Sequence, residues 1–139
     1  MSKENKALSR RVLEAVFQGN PDVVDEFLSP DFVLHDPSGE TGELSAHNIK
    51  GSIEWLHSAF PDAQLTIDDQ VAEGEKVATR YTFRGVHQGA LMGETPTGYE
   101  VTFTGHATDY FSGGKIVESW ANWDTLGLMQ QVGAVPPPE

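Results

Sequence analysis

Residues 99–124 constrain the fold of this chain more than any other stretch. They read as strand, tight turn, strand: Tyr99 to Phe111, then Ser112-Gly-Gly114, then Lys115 to Asp124. Paired glycines between two β-rich runs predict a hairpin, because glycine reaches the positive φ that tight turns require. Side chains alternate across a strand, so Glu118, Trp120 and Asn122 share one face, as do Thr104, His106, Thr108 and Tyr110.

Before residue 61 the period is helical. Leu8, Val12, Ala15 and Val16 predict a helix over about residues 4–18, which Gly19 stops. Asn20-Pro-Asp22 starts a second short helix striped by Val24, Phe27 and Leu28. Residues 31–37 read as an extended segment closing in a proline turn, and 38–42 as a polar loop. Ser45 is placed to cap a third helix, with Ile49, Ile53, Leu56 and Phe60 on one face and Trp55 beside them.

After Pro61 the period falls to two. Leu65, Ile67 and Val71 mark one strand, and residues 77–84 a second. A glycine-rich loop over 85–98, with Leu91 and Met92 at its centre, could cover a pocket. Asp124 is placed to cap a last helix over 125–132. Helices first and antiparallel strands afterwards give an α+β fold, with N-terminal helices on a curved, mainly antiparallel sheet. The length suits one domain, residues 1–139, with 134–139 expected as a frayed tail.

Net charge is −12, which argues against polyanionic partners: nucleic acid and anionic membranes both need positive surface. No run of about 18 apolar residues predicts a membrane span. With no cysteine there is no thiol or disulfide chemistry, and a cytoplasmic location is expected. No histidine pair has metal-ligand spacing, so no metal site is expected. No serine sits in a nucleophile elbow.

The segments Phe32-Val-Leu-His-Asp-Pro37, Ala59-Phe-Pro-Asp62, Ala72 to Ala78, Phe83 to Gly89, Thr95-Pro-Thr-Gly98, Gly105-His106 and Gly114-Lys-Ile-Val-Glu-Ser-Trp120, with the residues through Gly133, carry a resemblance. Together they make the chain similar to SnoaL-like polyketide or ester cyclases, within the nuclear-transport-factor-like fold. The resemblance implies a cone-shaped α+β barrel with a deep apolar pocket, a homodimer packed through the sheets, and an apolar or aromatic small-molecule substrate. It also implies cofactor-free intramolecular aldol ring closure by acid/base catalysis.

On that reading His106 binds or protonates a substrate oxygen, and a carboxylate at the end of the last strand moves the proton. Asp124 is that carboxylate if the family's aspartate falls there; if it falls at Ala121 or Asn122, the chain lacks it. The expected substrate-binding residues are Asn122, Trp120, His35, His87, Phe60, Tyr81, Trp55 and Phe17, with Phe83 as a further pocket wall. Each has a structural alternative: Asp124 as a helix cap, Trp120 as core, His35 as a loop anchor, His87 as exposed. Glu118 is expected in a buried ion pair with Arg80 or Arg84. His57 is expected to pack beside the third helix and His47 to lie on the surface. Two other readings stand beside the cyclase. One is a non-catalytic binder with the same pocket. The other is an epoxide hydrolase or isomerase on this scaffold; the hydrolase wants an inward aspartate paired with arginine, for which Arg80 against Asp68 or Asp109 is the pair to look for.

Overall fold

The structure is a computed structural model that describes residues 2–36, 43–91 and 93–136. Expectations for Pro37, the 38–42 loop, Met92 and the last three residues therefore lie outside the described residues.

Helix α1 (Ser2–Phe17) buries Val12, Ala15 and Phe17 and ends where predicted, at Gly19. Two facts require glycine there. Its φ is +80°, and a Cβ would lie 2.5 Å from the His57 ring. His57 thus packs over Gly19, while His47 is exposed. Helix α2 (Asp22–Phe27) starts one residue later than its signals suggest: the Asn20 side chain accepts from the Asp22 backbone N–H at 3.1 Å, and Pro21 stands at the cap.

Strand β1 (Leu28–His35) begins before Pro30, and β2 (Glu43–Ser45) is a short edge strand that the sequence pattern does not announce. Helix α3 (Ala46–Ala59) starts on Ser45, whose hydroxyl accepts from the Asn48 N–H at 3.3 Å. Strands β3 (Gln64–Glu73), β4 (Lys76–Val86), β5 (Glu100–Ser112) and β6 (Lys115–Trp123) then run as successive antiparallel neighbours, followed by α4 (Thr125–Gln131). The hairpin turns at Gly113 and Gly114, both with positive φ.

Among the described residues six strands form one mixed sheet in the order β2-β1-β6-β5-β4-β3, with a single parallel pair, β1 against β6. The sheet is not closed, so the architecture is an open curved α+β sheet rather than a complete barrel. Register shifts in the β1–β6, β3–β4 and β5–β6 pairings bend it.

Two apolar clusters pack between the helices and the concave face. One gathers Val12, Val23, Val24, Ile53, Val77 and Ile116. The other gathers Phe17, Phe60, Phe83, Leu91, Phe103 and Leu128. Phe83 stacks on Phe103 at 4.5 Å and meets Phe60 edge-on at 5.1 Å. After α4 the Ala134 N–H bonds to the Met129 carbonyl at 2.9 Å, and Ala134 packs on the second cluster.

Candidate active site

The concave face encloses a cavity of about 670 Å³. Apolar side chains from α1, β1, α3, β5 and β6 line most of it, among them Val16, Phe17, Phe32, Ile53, Phe103 and Trp123. Gly51 and Trp55, both exposed on α3, also line it and mark its mouth. No lysine, arginine or histidine lines it among the described residues, whereas two carboxylates do, Asp36 and Asp109. The size and lining suit a small organic ligand.

Asp109 is the carboxylate in the depth of this cavity. Alternation along β5 turns Phe103, Gly105, Ala107 and Asp109 inward, and Ser119 stands opposite Asp109 on β6. The Ser119 hydroxyl donates to Asp109 Oδ1 at 2.5 Å, and the Ser9 hydroxyl of α1 donates to Oδ2 at 2.7 Å. Both serines are themselves buried. Burial raises the Asp109 pKa above the usual carboxylate value; the two hydroxyl bonds pull the other way without cancelling it. Each oxygen accepts one bond and keeps lone-pair capacity for another, so the group is fixed but not saturated. The sequence offers Asp109 only as a possible partner of Arg80, not as the catalytic carboxylate. The available signal was a lone carboxylate in phase with Phe103, Gly105 and Ala107.

Tyr81 on β4 also lines the cavity. Burial, and to a lesser degree the negative charge of Asp36, raise its phenol pKa further, so the hydroxyl stays protonated. Its ring tilts against Phe17, with centroids 5.5 Å apart.

The expected pair, His106 and Asp124, does not meet in this cavity. His106 is one residue out of phase with Phe103, Ala107 and Asp109, so it projects from the opposite, exposed face of β5. Asp124 is exposed and caps α4, accepting from the Gly127 N–H at 2.8 Å. Asn122 is exposed on the same outer face as His106.

Trp120 is neither core nor pocket wall. It is 49% exposed and stacks on His35 at 3.9 Å. His35 Nε2 in turn lies 2.7 Å from Glu118 Oε2, so Glu118 pairs with His35 rather than with Arg80 or Arg84. The parallel β1–β6 pairing sets His35 opposite Trp120 and next to Glu118. The register shift in the β5–β6 pairing puts Ile116 and Ser119 inside and leaves Glu118 and Trp120 outside.

His87 is fully buried, not exposed, but it does not line the cavity. Its Nδ1 accepts from the Thr97 backbone N–H at 3.3 Å and lies 3.0 Å from the Thr97 hydroxyl, while Nε2 has no partner. Phe60 and Phe83 are buried beside the cavity without lining it, whereas Phe17, Trp55 and Tyr81 line it as expected. Arg80 lies on the outer face, 3.8 Å from Asp68, so the inward aspartate–arginine pair that an epoxide hydrolase wants is not formed by these residues. Among the described residues no group of three or more metal-ligating side chains converges. No helix among them is long and apolar enough to cross a membrane.

Comparison with known proteins identifies the scaffold. A family model described as SnoaL-like polyketide cyclase matches residues 6–132. Among solved structures, AclR from Streptomyces galilaeus, described as a candidate hydroxylase, superposes with a TM-score of 0.89 at 30% identity, covering 100% of this chain and 87% of that one. IdmH from Streptomyces antibioticus, described as a candidate polyketide cyclase, gives 0.81 at 29% identity over 93% and 98% of the two chains. A candidate polyketide cyclase from Acidithiobacillus ferrooxidans gives 0.82 at 28% over 94% and 95%. A search of curated proteins found no match. The chain belongs to the SnoaL-like polyketide cyclase family.

Proposed function

We propose that this protein is a cofactor-independent acid/base enzyme that closes a ring by intramolecular aldol reaction on an uncharged, apolar ketone or ester, with Asp109 as the proton-handling group. The observation that carries this reading is a half-buried carboxylate held by two buried serines at the wall of a mostly apolar cavity.

Ionised Asp109 takes a proton from a carbon next to a carbonyl. The C–H electron pair passes into the enolate, whose carbon attacks a second carbonyl of the same molecule and forms the ring bond. The resulting alkoxide takes a proton back from Asp109, which returns to its carboxylate form. A raised pKa suits this cycle, since it makes the carboxylate a stronger base than a solvated one. Ser9 and Ser119 fix the carboxylate, which keeps the approach geometry reproducible.

The experiment is proton exchange. An aryl β-keto methyl ester is incubated with the protein in D₂O, and deuterium uptake at the α-carbon is followed by NMR. Wild type accelerates uptake, and Asp109→Asn lowers the enzymatic rate by about 10²–10⁴-fold. Undiminished exchange in Asp109→Asn overturns the assignment.

A further inference from the structure

We propose that the Tyr81 hydroxyl, seated on Gly105, is a distal anchor that donates a hydrogen bond to an uncharged oxygen of the substrate, at the far end of the cavity floor from Asp109. The inference rests on the reading of Asp109 as the reacting end.

The argument begins with register. On the concave face, Tyr81 pairs with Gly105, Thr79 with Ala107, and Val77 with Asp109. Ala107 in turn pairs with Ala121 on β6. The floor between Tyr81 and Asp109 is therefore built from Thr79, Ala107 and Ala121, all of them small and all lining the cavity. Its two ends carry the polar groups.

Gly105 gives the second observation. A glycine inside a strand weakens it, and a close approach is one reason to keep it. Here a Cβ would lie 2.3 Å from the Tyr81 hydroxyl oxygen and 2.4 Å from the ring carbon that bears it. The phenol thus lies across β5 at the one residue that can receive it. Among the described residues no protein group hydrogen-bonds that hydroxyl, although the ring is buried. An unpaired hydroxyl at a cavity wall is open to a ligand acceptor.

Spacing gives a ruler. Gly105 and Asp109 are four residues apart on one strand, about 13 Å between Cα atoms if extended. Subtracting two hydrogen bonds of about 2.8 Å leaves about 7–8 Å between the two ligand oxygens. That separation fits a flat, two-ring ligand with an oxygen at each end. The acceptor must be uncharged, because the Asp36 carboxylate acts on Tyr81 and no basic side chain lines the cavity among the described residues.

The test is equilibrium binding of three probes by calorimetry, to wild type and Tyr81→Phe, each also in an Asp109→Asn background. The probes are 6-hydroxy-2-acetylnaphthalene, 2-naphthol and 4-hydroxyacetophenone. Tyr81→Phe is expected to weaken the acetylnaphthol about 3–10-fold. It should leave 2-naphthol, which lacks the distal oxygen, and the one-ring ketone within about twofold. Retained 2-naphthol binding shows that the variant cavity is intact. Equal weakening of all three probes, no weakening of the acetylnaphthol, or no saturable binding of it by wild type overturns the anchor. The two readings fail separately. If Asp109→Asn leaves deuterium exchange unchanged but the Tyr81 contrast persists in both backgrounds, the base assignment falls and the anchor stands.

Discussion

At the residue scale the account turns on which side of one strand a side chain occupies. Asp109 and His106 are three positions apart on β5, so alternation places them on opposite faces. The sequence marked His106 by its chemistry, as the only histidine in the hairpin, and passed over Asp109 because carboxylates abound in a chain with 21 of them. Function is predicted to follow the face: His106→Ala keeps deuterium exchange within about threefold of wild type, whereas Asp109→Asn loses about 10²–10⁴-fold.

Asp109 also has a signature in stability. Its folded pKa is raised above 3.8, so its contribution is favourable at low pH and lost as pH rises through the folded value. Replacing it by asparagine removes a buried charge, and the serine hydroxyls can turn to accept from the amide. Thermal midpoints should therefore be higher for Asp109→Asn than for wild type at neutral pH, with the gap closing as pH falls through the raised folded value and reaching its minimum by about pH 4. A gap that does not vary with pH contradicts the shift.

At the scale of elements, most boundaries were legible because their signals are local. Ser45 and Asp124 cap their helices as the sequence indicates, and Gly113 and Gly114 turn the hairpin. Asp124→Ala should cost about 1 kcal/mol in chemical denaturation while leaving exchange within about threefold. A collapse of exchange would restore Asp124 as a participant. What stayed illegible depends on pairing between distant segments. The β5–β6 register shift that turns Glu118 and Trp120 outward is not encoded in any short window, and neither is the parallel β1–β6 pairing that brings His35 to them.

The glycine-rich segment after β4 is another case. It reads as a loose cover, yet it is stitched to the end of α3: Gln88 and Gly89 both donate to the Ala59 carbonyl, at 2.9 and 3.2 Å. A Cβ on Gly89 would lie 2.1 Å from the Ser58 carbonyl oxygen. Gly89→Ala is predicted to destabilise the fold by about 2 kcal/mol or more, since backbone meets the added atom and cannot swing aside. An unchanged denaturation midpoint would mean that this junction is loose.

At the scale of the whole molecule, composition and periodicity carried the α+β class, and the arrangement of helices over a curved sheet follows from burying two apolar faces against each other. Closure did not follow: the sheet stops at β2 and β3 and stays open. The charge balance has a consequence inside as well as outside. With Asp36 and Asp109 in the cavity and no basic side chain lining it among the described residues, a methyl ester should bind at least tenfold more tightly than the corresponding free acid at neutral pH. Equal affinity would mean that the carboxylates do not face the ligand.

The central claim is that Asp109 moves the proton, and the pH profile of α-deuterium exchange tests it most directly. For wild type the rate is predicted to rise with pH through one ionisation above 3.8, as the base loses its proton. That step should vanish in Asp109→Asn and persist in His106→Ala. A profile unchanged by Asp109→Asn but abolished by His106→Ala would contradict the account and move the chemistry to the other face of the sheet.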